Sequence, residues 1–157
     1  TAARERRQEM DVSWIQANAS SLPFGEDRVG LVVIADLLEH LSEPVRVVCE
    51  AQRVGEAFLL RAPIENNLVT RLSMVCGKDE WGRLERKYGH IHHFSVSDLF
   101  QLVEEEGFKI ENWRAFEVPS RKNVLRNIIS RILHKIHGLM GLRMCGGFLV
   151  LYCRKRE

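Results

Sequence analysis

A chain of 157 residues, 45% hydrophobic and 28% charged with four prolines and eleven glycines, is long enough to bury one hydrophobic core and too ordinary in composition for disorder, a collagen-like repeat or a disulfide scaffold. Its net charge of +2 conceals an asymmetry: residues 118–157 carry nine Lys and Arg against one acidic residue, and the preceding 117 carry fourteen against twenty. A basic segment of that kind points to an anionic partner or a membrane surface.

In chain order, Thr1 to Met10 reads as the end of a helix, and Val12 to Ala17 as a short strand. Ser20 to Asp27 carries turn chemistry. Val29 to Ala35 is a continuous apolar run, the pattern of a central parallel strand buried on both faces. A helix starts near Ser42, with Pro44 in its first turn and Val45, Val48, Cys49 and Val54 on one side. Ala57 to Pro63 is a second buried strand ended by proline. Asn66 to Cys76 reads as helical and Gly77 to Gly89 as a loop. Ser95 and Asp98 form a capping pair for a helix that runs to Glu106 and stops at Gly107. Phe108 to Phe116 is a third strand, Arg121 to Gly138 a basic helix, and Gly147 to Arg154 the last strand, antiparallel to the one before it. Alternation of this kind implies an α/β domain with a mostly parallel sheet, one domain over 1–157 with a basic amphipathic helix inserted at 120–143.

The four cysteines, Cys49, Cys76, Cys145 and Cys153, lack any C-x-x-C pair and read as free thiols in a reducing compartment. No apolar run approaches the ~20 residues of a membrane span. The opening residues show no signal-peptide pattern, so the expected location is cytoplasmic, with peripheral membrane contact through 121–143.

Several stretches resemble one family. Asn18-Ala19-Ser20-Ser21-Leu22-Pro23-Phe24, then Leu31-Val32-Val33, then Asp36-Leu37-Leu38-Glu39-His40-Leu41-Ser42-Glu43-Pro44 are similar to the class I S-adenosylmethionine-dependent methyltransferases, nearest the ubiquinone-biosynthesis and small-molecule type. Gly89-His90-Ile91-His92-His93-Phe94-Ser95 and Glu104-Glu105-Glu106-Gly107-Phe108 fit the same family's later motifs. The resemblance implies a Rossmann-like α/β fold, a mostly parallel sheet with an antiparallel last strand, and S-adenosylmethionine as cofactor. There are departures. No G-x-G-x-G occurs, Asn18 stands where the family has an acidic residue, and Val29-Gly30 replaces its aromatic-Asp pair. The chain therefore reads as the C-terminal part of such a domain, lacking its first two strands.

By this resemblance Asn18 and Ala19 contact the adenine ring, and Ala35, Asp36 and Leu37 line the methionine end of the cofactor. Asn18 as a turn former and Asp36 as a cap are the plainer alternatives. Glu39 and His40 are the candidate catalytic pair, because methyl transfer often needs a base close to the acceptor. His90-x-His92-His93 invites a metal, but no carboxylate stands at ligand spacing along the chain, so no metal is assigned. Arg121, Lys122, Arg126, Arg131, Lys135 and Arg143 alternate with apolar residues at helical spacing. The preferred reading is a helix covering the sheet, the other a helix in an anionic membrane interface. Without interleaved aromatics, nucleic acid is not the expected partner.

The expected activity is methyl transfer to a small or lipid-linked acceptor, or the remnant of such an enzyme; a non-catalytic methyltransferase-like scaffold is the alternative. An open sheet edge further implies a homodimer or a pairing segment.

Overall fold

The computed structural model describes residues 13–119 and 124–156, and only the backbone of Arg126. The helical reading of Thr1 to Met10 and the cations Arg121 and Lys122 lie outside these residues. Four strands and six α-helices follow in the order β1 (Val29–Ala35), α1 (Pro44–Val54), β2 (Gly55–Ile64), α2 (Leu68–Val75), α3 (Glu80–Tyr88), α4 (Val96–Glu105), β3 (Phe108–Phe116), α5 (Val124–Ile136), α6 (Gly138–Cys145) and β4 (Gly147–Lys155). The sheet order is β1-β2-β4-β3. β1 pairs with β2 in parallel, and β4 is antiparallel to both its neighbours. Three strands thus point one way and β4 alone runs against them, as the sequence implied.

One face of this sheet carries the core. The register sets Phe58 against Cys153, Leu60 against Leu151 and Ala62 against Leu149, and all six are buried. Period-2 alternation puts Val32 and Ile34 of β1 on the same face. In β3 a register shift between Ile110 and Asn112 changes the parity. Phe108 and Ile110 face the core before it, Trp113 and Ala115 after it. Without that bulge the second half of β3 would present its polar side inward. Val47, Val48 and Ala51 of α1, Leu99 and Val103 of α4, and Leu142 of α6 complete the cluster. Phe58 and Phe108 meet with ring centroids 4.7 Å apart.

Four expectations are corrected. Residues 13–17 are not a strand, and Trp14 is 91% exposed; a strand exists only through a partner, and no described strand lies alongside. β1 is not buried on both faces: Leu31 and Val33 are exposed, because among the described residues only its Val32 and Ile34 side meets the core. Residues 80–88 are helical rather than a loop. Asp79 caps that helix by accepting from Gly82 N–H, and Gly89, at φ +76°, ends it in the left-handed conformation. Those two signals were present in the sequence.

The fourth correction concerns the basic segment. It is two helices, and α6, not α5, lies on the sheet, through Gly141, Leu142 and Cys145. α5 meets α6 with its polar side: Ser130 is buried, and the His134 ring occupies the space a side chain at Gly141 would need. Val124, Leu125, Ile128, Ile129, Ile132 and Ile136 are exposed instead. A covering helix would turn that stripe inward; α5 turns it outward. No helix among the described residues is long and apolar enough to cross a membrane.

Candidate active site

The site is built at the C-terminal end of β1. Asp36, directly after the strand, adopts φ +50°, a conformation uncommon for a residue with a side chain. It is held there by its own N–H, which donates to Arg61 O (3.0 Å), and by an ion pair to the Arg61 guanidinium (2.8 Å). Its other oxygen, Oδ1, is buried without a partner. Such local strain clusters where geometry serves a function. A 3-10 turn, Leu38–His40, follows. Leu38 is fully buried and anchors it, which carries Glu39 into the interior at 1% exposure and leaves His40 at the surface.

A second segment is bonded onto this turn. Glu39 O accepts from the N–H groups of Ile91 (2.8 Å) and His92 (3.1 Å), and His40 Nδ1 lies 3.1 Å from Gly89 O. A carbonyl can only accept, so Nδ1 of His40 carries the proton and Nε2 keeps its lone pair. A third segment comes from the end of β2. Glu65 places one carboxylate oxygen 2.7 Å from His90 Nδ1 and the other 2.8 Å from His93 Nδ1. These rings too donate through Nδ1. His90 then stacks on Tyr88 and meets His40 edge-on, and His93 stacks on Trp81. Helix α3 therefore roofs the histidine segment, with Leu84 as its buried anchor.

These groups line a cleft of about 530 Å³ whose wall includes Asp36, Glu39, His40, Glu65, Tyr88 and His90. Its far side is the turn from α6 into β4, Cys145 to Phe148. Desolvation pushes the Glu39 carboxyl above the usual carboxylate range, against a backbone hydrogen bond and the nearby His90 and His40. Its Oε2 is buried and has no hydrogen-bond partner.

Of the residues singled out in the sequence, the structure brings Asp36, Glu39 and His40 together in this cleft. Ala35 and Leu37 flank Asp36 in the chain, but the wall of the cleft does not include them, nor Asn18 and Ala19. Asn18 shapes a turn: its Oδ1 accepts from Ser20 N–H (2.9 Å) and its carbonyl from Ser21 N–H (2.9 Å). Ala19 packs against the core. Sequence reasoning missed Glu65 altogether. It stands 25 residues from His90 and 28 from His93, and no local spacing announces it. His92, between them in the sequence, goes elsewhere, toward Ser42 O at 3.4 Å.

Comparison with known proteins agrees with this architecture. A family model described as "Methyltransferase domain" matches residues 1–57. No curated protein sequence matches the chain. Among solved structures, the [4+2]-cyclase SpnF is 20% identical with a TM-score of 0.59, over 99% of this chain and 60% of its own. An S-adenosylmethionine-dependent methyltransferase from Mesorhizobium loti is 16% identical with a TM-score of 0.57, over 98% of this chain and 74% of its own. A SAM-dependent methyltransferase from Methanosarcina mazei is 18% identical with a TM-score of 0.55, over 90% and 66%. The chain thus spans less than two thirds of the cyclase's length. The family match to a methyltransferase domain covers the first 57 residues, and the solved structures agree with it on a Rossmann-like α/β fold. At these identities the structural likeness speaks for the fold.

Proposed function

We propose that this chain, methyltransferase-like in its first 57 residues and in its sheet, forms the acceptor side of a methyltransferase cleft. The observation that carries the reading is the convergence of Asp36, Glu39 and His40 at the C-terminal end of β1, the edge where open α/β sheets bind their ligands. Bound there, S-adenosylmethionine supplies an electrophilic methyl group on its sulfonium. The chain's residues supply the rest. The unpartnered Oδ1 of Asp36 is an acceptor suited to the ammonium group at the methionine end. The Asn18 turn engages its Oδ1 and leaves the amide N–H groups as donors, which suit a ring nitrogen of adenine better than its exocyclic amine. His40, with its proton fixed on Nδ1, offers Nε2 as the base that takes the acceptor's proton, and the Gly89 carbonyl steadies the resulting imidazolium. Glu39 sits beneath it, where a carboxylate stabilises the same cation.

The acceptor we propose is lipid-linked. The outward stripe of α5 supports this, since a helix with exposed Ile128, Ile129, Ile132 and Ile136 and with Arg131 and Lys135 beside them matches an interfacial helix resting on an anionic bilayer. α5 stands on α6, whose last residue, Cys145, lines the cleft, so α5 and the cleft share one neighbouring element.

The test is calorimetric titration of the 157-residue chain with S-adenosylhomocysteine. Micromolar binding, weakened by Asp36→Ala, is the expected result. No heat at all would overturn the cofactor reading for these residues and favour a scaffold role. In an active preparation, His40→Ala should lower turnover at least tenfold and leave cofactor affinity within about twofold; unchanged turnover removes His40 from the reaction.

A further inference from the structure

We infer that Glu39, His40 and His90 form a binding site for a divalent transition-metal ion of the zinc class. One ligand atom from each lies within 4.8 Å of the other two. The geometry supports the site in three independent ways.

First, both rings are already in the ligating tautomer. His40 donates through Nδ1 to Gly89 O and His90 through Nδ1 to Glu65. Each Nε2 therefore holds an unshared pair. A carboxylate behind an imidazole is the usual outer partner of a ligating histidine, because it fixes the ring and raises its basicity. Glu65 fills that place for His90, and is itself fixed where the Phe94 carbonyl accepts its N–H at 3.1 Å.

Second, Glu39 is 1% exposed and its Oε2 has no partner. A buried carboxylate oxygen without a donor is costly. A cation between Glu39 and the two rings removes that cost, and among the described residues no other group reaches the atom.

Third, the cluster is held by backbone and not by chance approach of mobile side chains. Glu39 O takes the N–H groups of both Ile91 and His92, so the turn that carries Glu39 and His40 is tied to the segment that carries His90. Ligands around zinc at ~2.1 Å stand roughly 3.4 Å apart. Ion binding therefore draws together three ligand atoms that already lie within 4.8 Å of one another.

Two imidazoles and one carboxylate select a borderline ion over calcium or magnesium, which prefer all-oxygen shells. Three protein ligands leave positions open toward the cleft. If the cleft is the acceptor site, a bound ion takes over the role of His40 Nε2, whose lone pair is then on the metal: the open positions take an acceptor oxygen and lower the pKa of its hydroxyl, which assigns the acceptor to the hydroxyl-bearing class. Only that consequence rests on the methyl-transfer reading; ion binding does not.

The experiment titrates chelator-treated 157-residue chain with Co2+ and follows visible d–d absorption, then displaces Co2+ with Zn2+. Expected is one equivalent bound, with no thiolate charge-transfer band from Cys49 or Cys76. Glu39→Gln, His40→Ala and His90→Ala should each weaken binding at least tenfold. Glu65→Gln should weaken it roughly 10- to 100-fold, and His92→Ala should leave it unchanged. His40 is exposed and Glu39→Gln preserves shape, so these two carry the result even if His90→Ala fails to fold. Absence of stoichiometric binding, equal affinity in Glu39→Gln and His40→Ala, or a thiolate spectrum would each overturn the site. None of these readouts depends on S-adenosylhomocysteine, so the metal site and the cofactor reading stand or fall separately.

Discussion

Glu65 and His90, 25 residues apart in the chain, meet at 2.7 Å, and the second oxygen of the same carboxylate holds His93 at 2.8 Å. One part-buried acidic side chain thereby sets the proton position on two rings. Glu65→Gln keeps the shape but offers one acceptor and one donor in place of two acceptors. One of the two histidines must then carry its proton on Nε2. Nitrogen-15 NMR of the rings should show one histidine switching tautomer, with a stability loss of about 1–2 kcal/mol. Two unchanged Nδ1–H rings would refute the assignment.

The loop before β1 is tied to α1 through Glu50. Its carboxylate takes two hydrogen bonds from Arg53, at 2.9 and 2.6 Å, and one from Leu22 N–H, at 2.6 Å. The Arg53 side chain is the largest cause holding the Glu50 carboxyl down at about 2, from 4.5. A carboxyl depressed by folding stabilises the folded chain above its unfolded value and loses that contribution as pH falls. The window is therefore pH 4.5 down to about 2. Urea unfolding across it should show Glu50→Gln less stable than the parent by about 1–2 kcal/mol at pH 6, with the gap closing toward pH 2. A gap independent of pH would contradict the pairing.

Ser95 and Asp98 cap α4 reciprocally: Asp98 N–H donates to Ser95 Oγ at 3.2 Å, and Ser95 N–H donates to Asp98 Oδ2 at 2.7 Å. α4 carries Leu99 and Val103 into the core. Ser95→Ala should cost about 1 kcal/mol, read as a shifted urea midpoint at constant slope.

The outward stripe of α5 gives a direct measurement. Ile128→Asp with Ile132→Asp should abolish co-sedimentation with phosphatidylglycerol vesicles at low salt while leaving the melting temperature unchanged, since both side chains are exposed. Retained binding, or a large fall in melting temperature, would show that the stripe is packed against protein instead.

Much of the fold was legible from local pattern. The apolar runs at 29–35 and 57–63, the capping pair at Ser95 and Asp98, and Gly107 after the last turn of α4 each act over a few residues, so neighbours in sequence were enough to fix them. The stretch Asp36 to His40 was marked by a contiguous motif, but its folding into a turn was not read from it. What the sequence alone could not decide depended on partners far along the chain. Whether Val29–Ala35 is covered on one face or two depends on which strands and helices lie beside it. The inward turn of Trp113 and Ala115 depends on a bulge that only pairing with β4 defines. The direction of the α5 stripe was set by α6, which offers Gly141 to His134 and leaves the isoleucines to the outside. The meeting of Glu39 with His90, and of Glu65 with both His90 and His93, has the same origin. Side-chain chemistry is fixed by the sequence, but distances between groups tens of residues apart are fixed by the sheet register and the turns that join it.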